Sequence, residues 1–209
     1  MNKYISIIIV VVLIILGIWF SMREKKGEEN IINSNNQEPV SAVGSDEAKK
    51  TMSAILHTNK GNITIEFYDK QAPNTVANFI KLAEDGFYNG VKFHRVIKGF
   101  MIQGGDPLTK DNSKMELWGT GDPGYKFADE LGANNHNDVG TIAMANSGPN
   151  TNGSQFFINT AANNFLDTKH TVFGKVVSGM DVVTKIENVK TGEADRPVEA
   201  VVIESITLK

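Results

Sequence analysis

The chain of 209 residues contains no cysteine. Disulfides, cysteine-ligated zinc and a lipid-modified amino-terminal cysteine are therefore excluded, and disulfides offer no clue to the compartment. Histidine is scarce too: His57, His94, His136 and His170 do not have the spacing of metal ligands. Neither a metal site nor a cofactor is expected. The net charge is -3 and no basic run is interleaved with aromatics, so nucleic acid is not an expected partner. Ser154 and His170 could pair as nucleophile and base, but no nucleophile-elbow motif surrounds the serine, which argues against a hydrolase. A literal G-x-G-x-x-G occurs at Gly119, Gly121 and Gly124. Asp122 and Pro123 stand where phosphate would approach and no helix pattern follows, so Leu108 to Tyr125 reads as a loop and not a dinucleotide site. The glycosylation triplets at Asn62 and Asn152 are assigned no function.

What the chain does have, first, is an uncharged apolar run from Tyr4 to Phe20, YISIIIVVVLIILGIWF, between Lys3 and Arg23. At about 1.5 Å per helical residue it covers most of a ~30 Å hydrocarbon core. No A-x-A-like cleavage site follows, and Trp19-Phe20 suits an interfacial anchor, so residues 1–21 read as a single transmembrane helix, with a signal segment as the competing reading. Arg23, Lys25 and Lys26 outnumber the charges on the amino side, a bias that alone would keep the domain inside. Glu24, Glu28 and Glu29 weaken it, and long folded domains are translocated largely regardless of charge. A single-pass membrane protein is expected, with its domain outside the cytoplasm, in the periplasm or at the cell surface. Residues 22–51, rich in Asn, Glu, Ser and Lys and without apolar periodicity, read as a flexible polar linker with a reach of roughly 30 Å.

Residues 52–209 are enough for one core and too few to expect two. Met52 to Thr58 and Asn62 to Tyr68 read as a hairpin turning at Asn59-Lys60-Gly61, with Ile63, Ile65 and Phe67 on one face. Pro73 suits the first position of a helix that carries Val76, Phe79, Ile80 and Ala83 on its apolar side and stops at Gly86. A second helix is expected over Met180 to Glu187, with Val182, Val183 and Ile186 facing inward. Few helices among many short strands favour a mainly β protein built as a closed antiparallel barrel.

Two stretches concentrate the chemistry: Phe93 to Asp106, FHRVIKGFMIQGGD, and Ala143 to Asn159, AMANSGPNTNGSQFFIN. Arg95, Gln103, Asn146 and Gln155 stand there among Phe100, Met101 and Phe157, a mixture that predicts an open apolar pocket with a few aimed donors. Period-two alternation sets Arg95 on the opposite face from His94 and Val96. It also sets Gln155, Phe157 and Asn159 opposite Phe156 and Ile158. Only one of the two phenylalanines can then fill the interior. Singly, each residue has an ordinary explanation: a surface ion pair for Arg95, core packing for Phe100 and Met101, a turn for Gly104-Gly105-Asp106.

From about Met52 to Leu208 the chain resembles the cyclophilin family of peptidyl-prolyl cis-trans isomerases, through FYNGVKFHRVIKGFMIQGGDP, MANSGPNTNGSQFFI and FLDTKHTVFGKV. The joint occurrence of the site residues in the family's order outweighs their ordinary explanations. The resemblance implies a closed eight-stranded barrel capped by two α-helices, rotation about X-Pro bonds in client polypeptides, and no cofactor. It implies that Arg95 is the catalytic arginine and that Phe100, Met101, Phe157 and Leu166 wall the proline pocket. Gln103, Ala145, Asn146, Gln155 and His170 match residues that hold the substrate backbone or line the site. Phe165 stands where many members have tryptophan, which alters a pocket wall and is expected to weaken binding of cyclosporin, the family's cyclic-peptide inhibitor. Lys98 replaces a common proline and should only loosen a turn, while the 108–125 loop looks longer than in the shorter members. Expected partners are proline-containing polypeptides and, through residues 4–20, the membrane; a monomer is expected. A proline-peptide binding module or holdase, and a purely structural barrel, are the other readings. The retained Arg95, and its company with Gln103 and Gln155, disfavour them.

Overall fold

Alternation at the start of the domain produces a hairpin. Ala54 and Leu56 of β1 (Ser53–Thr58) and Ile63, Ile65 and Phe67 of β2 (Gly61–Phe67) are buried, and the register brings Thr58 opposite Gly61 across the turn. The structure, a computed structural model, describes residues 52–209; the expected membrane run at residues 4–20 and linker at 22–51 lie outside them. Among the described residues, no helix is long and apolar enough to cross a membrane.

Helix α1 (Pro73–Glu84) begins at its proline and buries Thr75, Val76, Phe79, Leu82 and Ala83. Ile80, expected in this stripe, is only partly buried, and Leu82 sits in its place. Ala72 offers no side-chain cap. Glu130 caps the helix from a distant loop: its carboxylate accepts the N–H groups of Asn74 (3.1 Å) and Thr75 (2.8 Å) and both of their side chains. Burial pushes the Glu130 carboxyl up, but the bonds from Thr75 and Asn74 together outweigh it and hold the group below its usual range.

The remaining elements are β3 (Arg95–Ile97), β4 (Met101–Gly104), β5 (Thr141–Met144), β6 (Phe156–Asn159), β7 (Val172–Ser178), α2 (Met180–Glu187) and β8 (Ile203–Leu208). The eight strands form one antiparallel sheet in the order β3-β4-β6-β5-β7-β2-β1-β8. Helix α2 has the expected bounds and buries Val182, Val183 and Ile186 as expected.

A closed barrel was expected, and the sheet is open: β3 and β8 are its edges and share no ladder. Across the seam stand a single bridge, Lys92 to Val202, and the bonds from Phe93 N–H to Val201 (2.9 Å), from Ile203 N–H to Val91 (2.8 Å) and from Gly90 N–H to Ile203 (2.8 Å). The ladder stops because β3 is only three residues long and the turn Glu193–Asp195 packs against it where a partner strand would continue.

Inside lies an aromatic cluster in which Phe79 contacts Phe67, Tyr88, Phe156 and Phe173 at ring separations of 5.0–5.7 Å. Each such buried ring stabilises the fold by roughly 1.5–3 kcal/mol relative to exposure. A smaller second cluster of Met101, Ala143, Phe157 and Val172 covers the other face of the sheet. Phe156 belongs to the first and Phe157 to the second, the division that strand parity requires.

Candidate active site

Register lays out the site. Arg95 pairs with Gln103, Gln103 with Phe157, Phe157 with Ala143, and Ala143 with Val172, a single row across β3, β4, β6, β5 and β7. Residues opposite one another in antiparallel strands point to the same face, so a short polar-to-apolar row appears there without any loop having to place it. Above the row opens a cavity of about 240 Å³ lined by Arg95, Phe100, Met101, Gln103, Ala145, Asn146, Phe157, Leu166 and His170. Of the eleven residues expected in the site, these nine are brought together, and Gln155 and Phe165 are not among the lining.

The floor is dry: Met101 is 2 % and Phe157 4 % exposed. Among the described residues charge enters only at the rim, where the Arg95 side chain is 43 % exposed and its Nε lies 3.6 Å from Asp195 Oδ2. His170 packs edge-on against Phe157 with ring centroids 5.5 Å apart, and its Nδ1 meets the Met144 carbonyl at 2.9 Å. A carbonyl only accepts, so Nδ1 carries a proton and Nε2 is the acceptor of the neutral ring. The Asn146 side chain is already engaged, donating to Lys169 O (2.8 Å) and accepting from Gly148 N–H (3.3 Å). Its own backbone N–H and carbonyl make no hydrogen bond among the described residues, so they remain for an extended ligand.

Gln155 borders an adjoining cavity of about 120 Å³, shared with Gln103, Ala145, Asn146, Thr120 and Lys126. Its Oε1 accepts from Gln103 Nε2 (3.0 Å) while its own Nε2 donates to the carbonyls of Gly119 (3.0 Å) and Gly121 (2.8 Å). The glutamine pair thus ties the 108–125 loop to the sheet. That loop contains short 3-10 turns at Pro107–Lys110 and Asn112–Leu117, and no α-helix follows Gly124, as the loop reading of its glycines requires. Its glycines do surround an anion, namely the chain's own Asp106. This carboxylate is fully buried and accepts from the N–H groups of Leu108 (2.7 Å), Gly119 (2.5 Å) and Gly121 (3.2 Å). A Cβ on Gly121 would lie 2.1 Å from Asp106 Oδ1, so only glycine fits. Gly105 is constrained likewise, with φ +91° and space for a Cβ only 2.3 Å from the Ser154 carbonyl oxygen.

Next to Arg95, with its ring against Gly119 of the 108–125 loop, His94 is 5 % exposed and neither ring nitrogen has a hydrogen-bond partner among the described residues. Burial lowers its pKa to about 4, which keeps the imidazole neutral at ordinary pH.

Phe165 departs from expectation. It is 66 % exposed, and instead of walling the cavity it stacks on Phe100 from outside at a centroid distance of 6.1 Å. The 3-10 turn Asn164–Leu166 explains this: with about three residues per turn, one of the three side chains faces the cavity, and it is Leu166. Sequence reading missed Asp195, Thr120 and Lys126 altogether. Asp195 follows Arg95 by a hundred positions on an irregular loop, so no periodicity could have linked them.

Comparison with known proteins follows the same boundaries. Residues 53–208 match the family model described as cyclophilin type peptidyl-prolyl cis-trans isomerase/CLD. The chain is 49% identical over 155 residues to peptidyl-prolyl cis-trans isomerase CYP71 of Arabidopsis thaliana, a match covering 74% of this chain but 24% of that protein, so this chain corresponds to about a quarter of it. It is 47% identical over 150 residues to peptidyl-prolyl cis-trans isomerase-like 1 of Aspergillus fumigatus, covering 71% of this chain and 90% of that one. Among solved structures, a Cryptosporidium parvum cyclophilin type peptidyl-prolyl cis-trans isomerase superposes with a TM-score of 0.70 at 32% identity, over 76% of this chain and 98% of that one. A second structure of the same protein, in the presence of the dipeptide Ala-Pro, gives 0.69 at 32% identity, over 75% and 98%. With a family model matching over most of its length, the chain belongs to the cyclophilin-type peptidyl-prolyl cis-trans isomerase family.

Proposed function

We propose that residues 52–209 accelerate cis-trans isomerisation of X-Pro bonds in polypeptide substrates, with Arg95 as the catalytic residue. The observation that carries this reading is a guanidinium at the rim of an apolar cavity walled by Phe100, Met101, Phe157 and Leu166. The Ala-Pro dipeptide in the Cryptosporidium relative's structure supports a proline-containing ligand.

An X-Pro bond rotates slowly because amide resonance must be lost, at a barrier of about 18–20 kcal/mol. In the twisted state the prolyl nitrogen pyramidalises and gains a basic lone pair. A guanidinium donating to that nitrogen makes a bond that exists only in the transition state, which raises turnover and not merely affinity. Turnover of ~10–1,000 per second requires a barrier of roughly 13–16 kcal/mol, so the site must supply about 4–7. One preorganised donor is worth ~3–4 kcal/mol. Desolvation of the ring against Met101 and Phe157, with the backbone of Asn146 and the side chain of Gln103, itself held by Gln155, positioning the flanking peptide, supplies the remainder. Exchange NMR on short X-Pro peptides with the full-length protein tests the reading. Acceleration supports it, binding without acceleration selects the binding-module reading, and neither effect sinks both.

The same reading extends to the chain as a whole. Tyr4–Phe20 anchors a monomeric protein in a membrane, residues 22–51 give the domain reach, and the domain lies outside the cytoplasm. Support comes from the sequence of these segments. Fractionation with amino-terminal sequencing tests it: a soluble protein, or a mature chain beginning after Phe20, overturns the anchor. Protease protection decides the side, and sedimentation the monomer.

A further inference from the structure

We infer that Asp195 is a positioning residue for Arg95, held against it by a strained turn; the inference rests on Arg95 being the catalytic group. Residues 190–198 form a narrow arm closed by Val198 N–H to Lys190 O (2.9 Å), Gly192 N–H to Arg196 O (2.8 Å) and the bridge Thr191 to Pro197. At its tip Ala194 and Asp195 both have φ 57°, two consecutive non-glycine residues in the left-handed region. L residues seldom adopt this conformation, Asn and Asp being the least reluctant, and such outliers persist only where the surroundings over-determine them.

Here the surroundings grip the tip from both sides. On one side the turn packs against β3, and Asp195 Oδ2 reaches Arg95 Nε at 3.6 Å. On the other, the Arg196 guanidinium lies 5.5 Å from the centroid of the Trp118 ring in the 108–125 loop. Among the described residues Asp195 is the sole carboxylate within ion-pair distance of Arg95, whose side chain makes no hydrogen bond there. A half-exposed arginine has several freely rotating bonds and would otherwise sample many directions. The contact is at Nε, the base of the fork, so the terminal Nη donors stay available to the twisted amide. Fixing the stem while leaving the fork free lowers the cost of reaching the reactive geometry, which falls on turnover and not on substrate binding.

The test uses the full-length protein and a short X-Pro peptide. Asp195→Asn removes the charge and keeps a residue tolerant of the left-handed turn; Asp195→Gly removes both charge and strain. Each is expected to lower kcat about two- to fivefold, the range of an exposed ion pair, with KM unchanged. In an Arg95→Ala background neither lowers kcat further, because the carboxylate acts only through that side chain. A wild-type or increased kcat in Asp195→Asn, a loss confined to KM, or an equal further loss in the Arg95→Ala background each overturns the inference. Full turnover in Arg95→Ala itself would overturn the catalytic assignment, and this inference with it. A fall in Arg95→Ala beside an unchanged Asp195→Asn would overturn this inference alone.

Discussion

Among the described residues, Arg95 brings the only charge to a cavity whose floor is Met101 and Phe157, and that isolation makes its contribution separable. Arg95→Ala is expected to lower kcat by about a hundredfold, the value of one preorganised donor, with a much smaller change in KM. Stopped-flow or exchange NMR kinetics over a range of peptide concentrations checks this; equal losses in both constants would point to a binding role. Phe165 allows a second test at this scale, since it lies outside the cavity wall and lacks an indole N–H. Phe165→Trp is expected to tighten cyclosporin binding by about 1 kcal/mol, the worth of one hydrogen bond, and to leave turnover on a short peptide nearly unchanged. Calorimetry showing equal affinity for both proteins would make the missing donor irrelevant.

Helix α1 shows how an element can depend on a residue far from it. Its first turn has no local cap, and Glu130 alone takes the N–H groups of Asn74 and Thr75. Glu130→Ala leaves those donors without their partner and is expected to cost about 2 kcal/mol of stability, read as a lower midpoint in urea. Because the carboxyl is held below its usual range in the fold, its contribution is present above the unfolded chain's pKa and is lost as pH falls through the lower, folded value. Turnover in the absence of denaturant should be unaffected, as Glu130 does not line the cavity. A midpoint equal to wild type would show that water replaces the cap. The 108–125 loop follows the same pattern: buried Asp106 organises it, and through Gly119 and Gly121 it holds Gln155.

For the whole molecule, pH separates stability from activity. His94 has an ordinary pKa of 6.5 and is lowered to about 4 by burial in the fold. Between these values the unfolded chain binds a proton that the folded chain refuses, so stability falls as pH drops from 6.5 to 4, by up to about 3 kcal/mol, and this group adds nothing further below 4. Denaturant titrations of His94→Gln and wild type across this range should show the slope weakened in the variant; parallel curves would assign acid sensitivity elsewhere. Catalysis should be insensitive over the neutral range. The proposed reaction transfers no proton and a guanidinium stays charged throughout, so kcat is expected to be flat from about pH 6.5 to 9. A bell-shaped profile would contradict the mechanism.

Much of this was legible in the chain itself. Period two divides Phe156 from Phe157 and Arg95 from Val96, and helical spacing marks α2 with Val182, Val183 and Ile186, because these patterns are local and each side chain's direction follows from its neighbours in sequence. The motifs around Arg95 and Gln155 located the cavity, since β4 and β6, which carry its floor, pair in register. What stayed hidden depends on contacts between distant segments. The cap of α1 by Glu130, the glycine cradle of Asp106, the outward turn of Phe165, the open seam between β3 and β8 and the reach of Asp195 to Arg95 have no local signature. Side-chain periodicity encodes which face of an element is apolar. Which loop ends up against which strand is set only when the core packs, and there the tertiary structure alone decided.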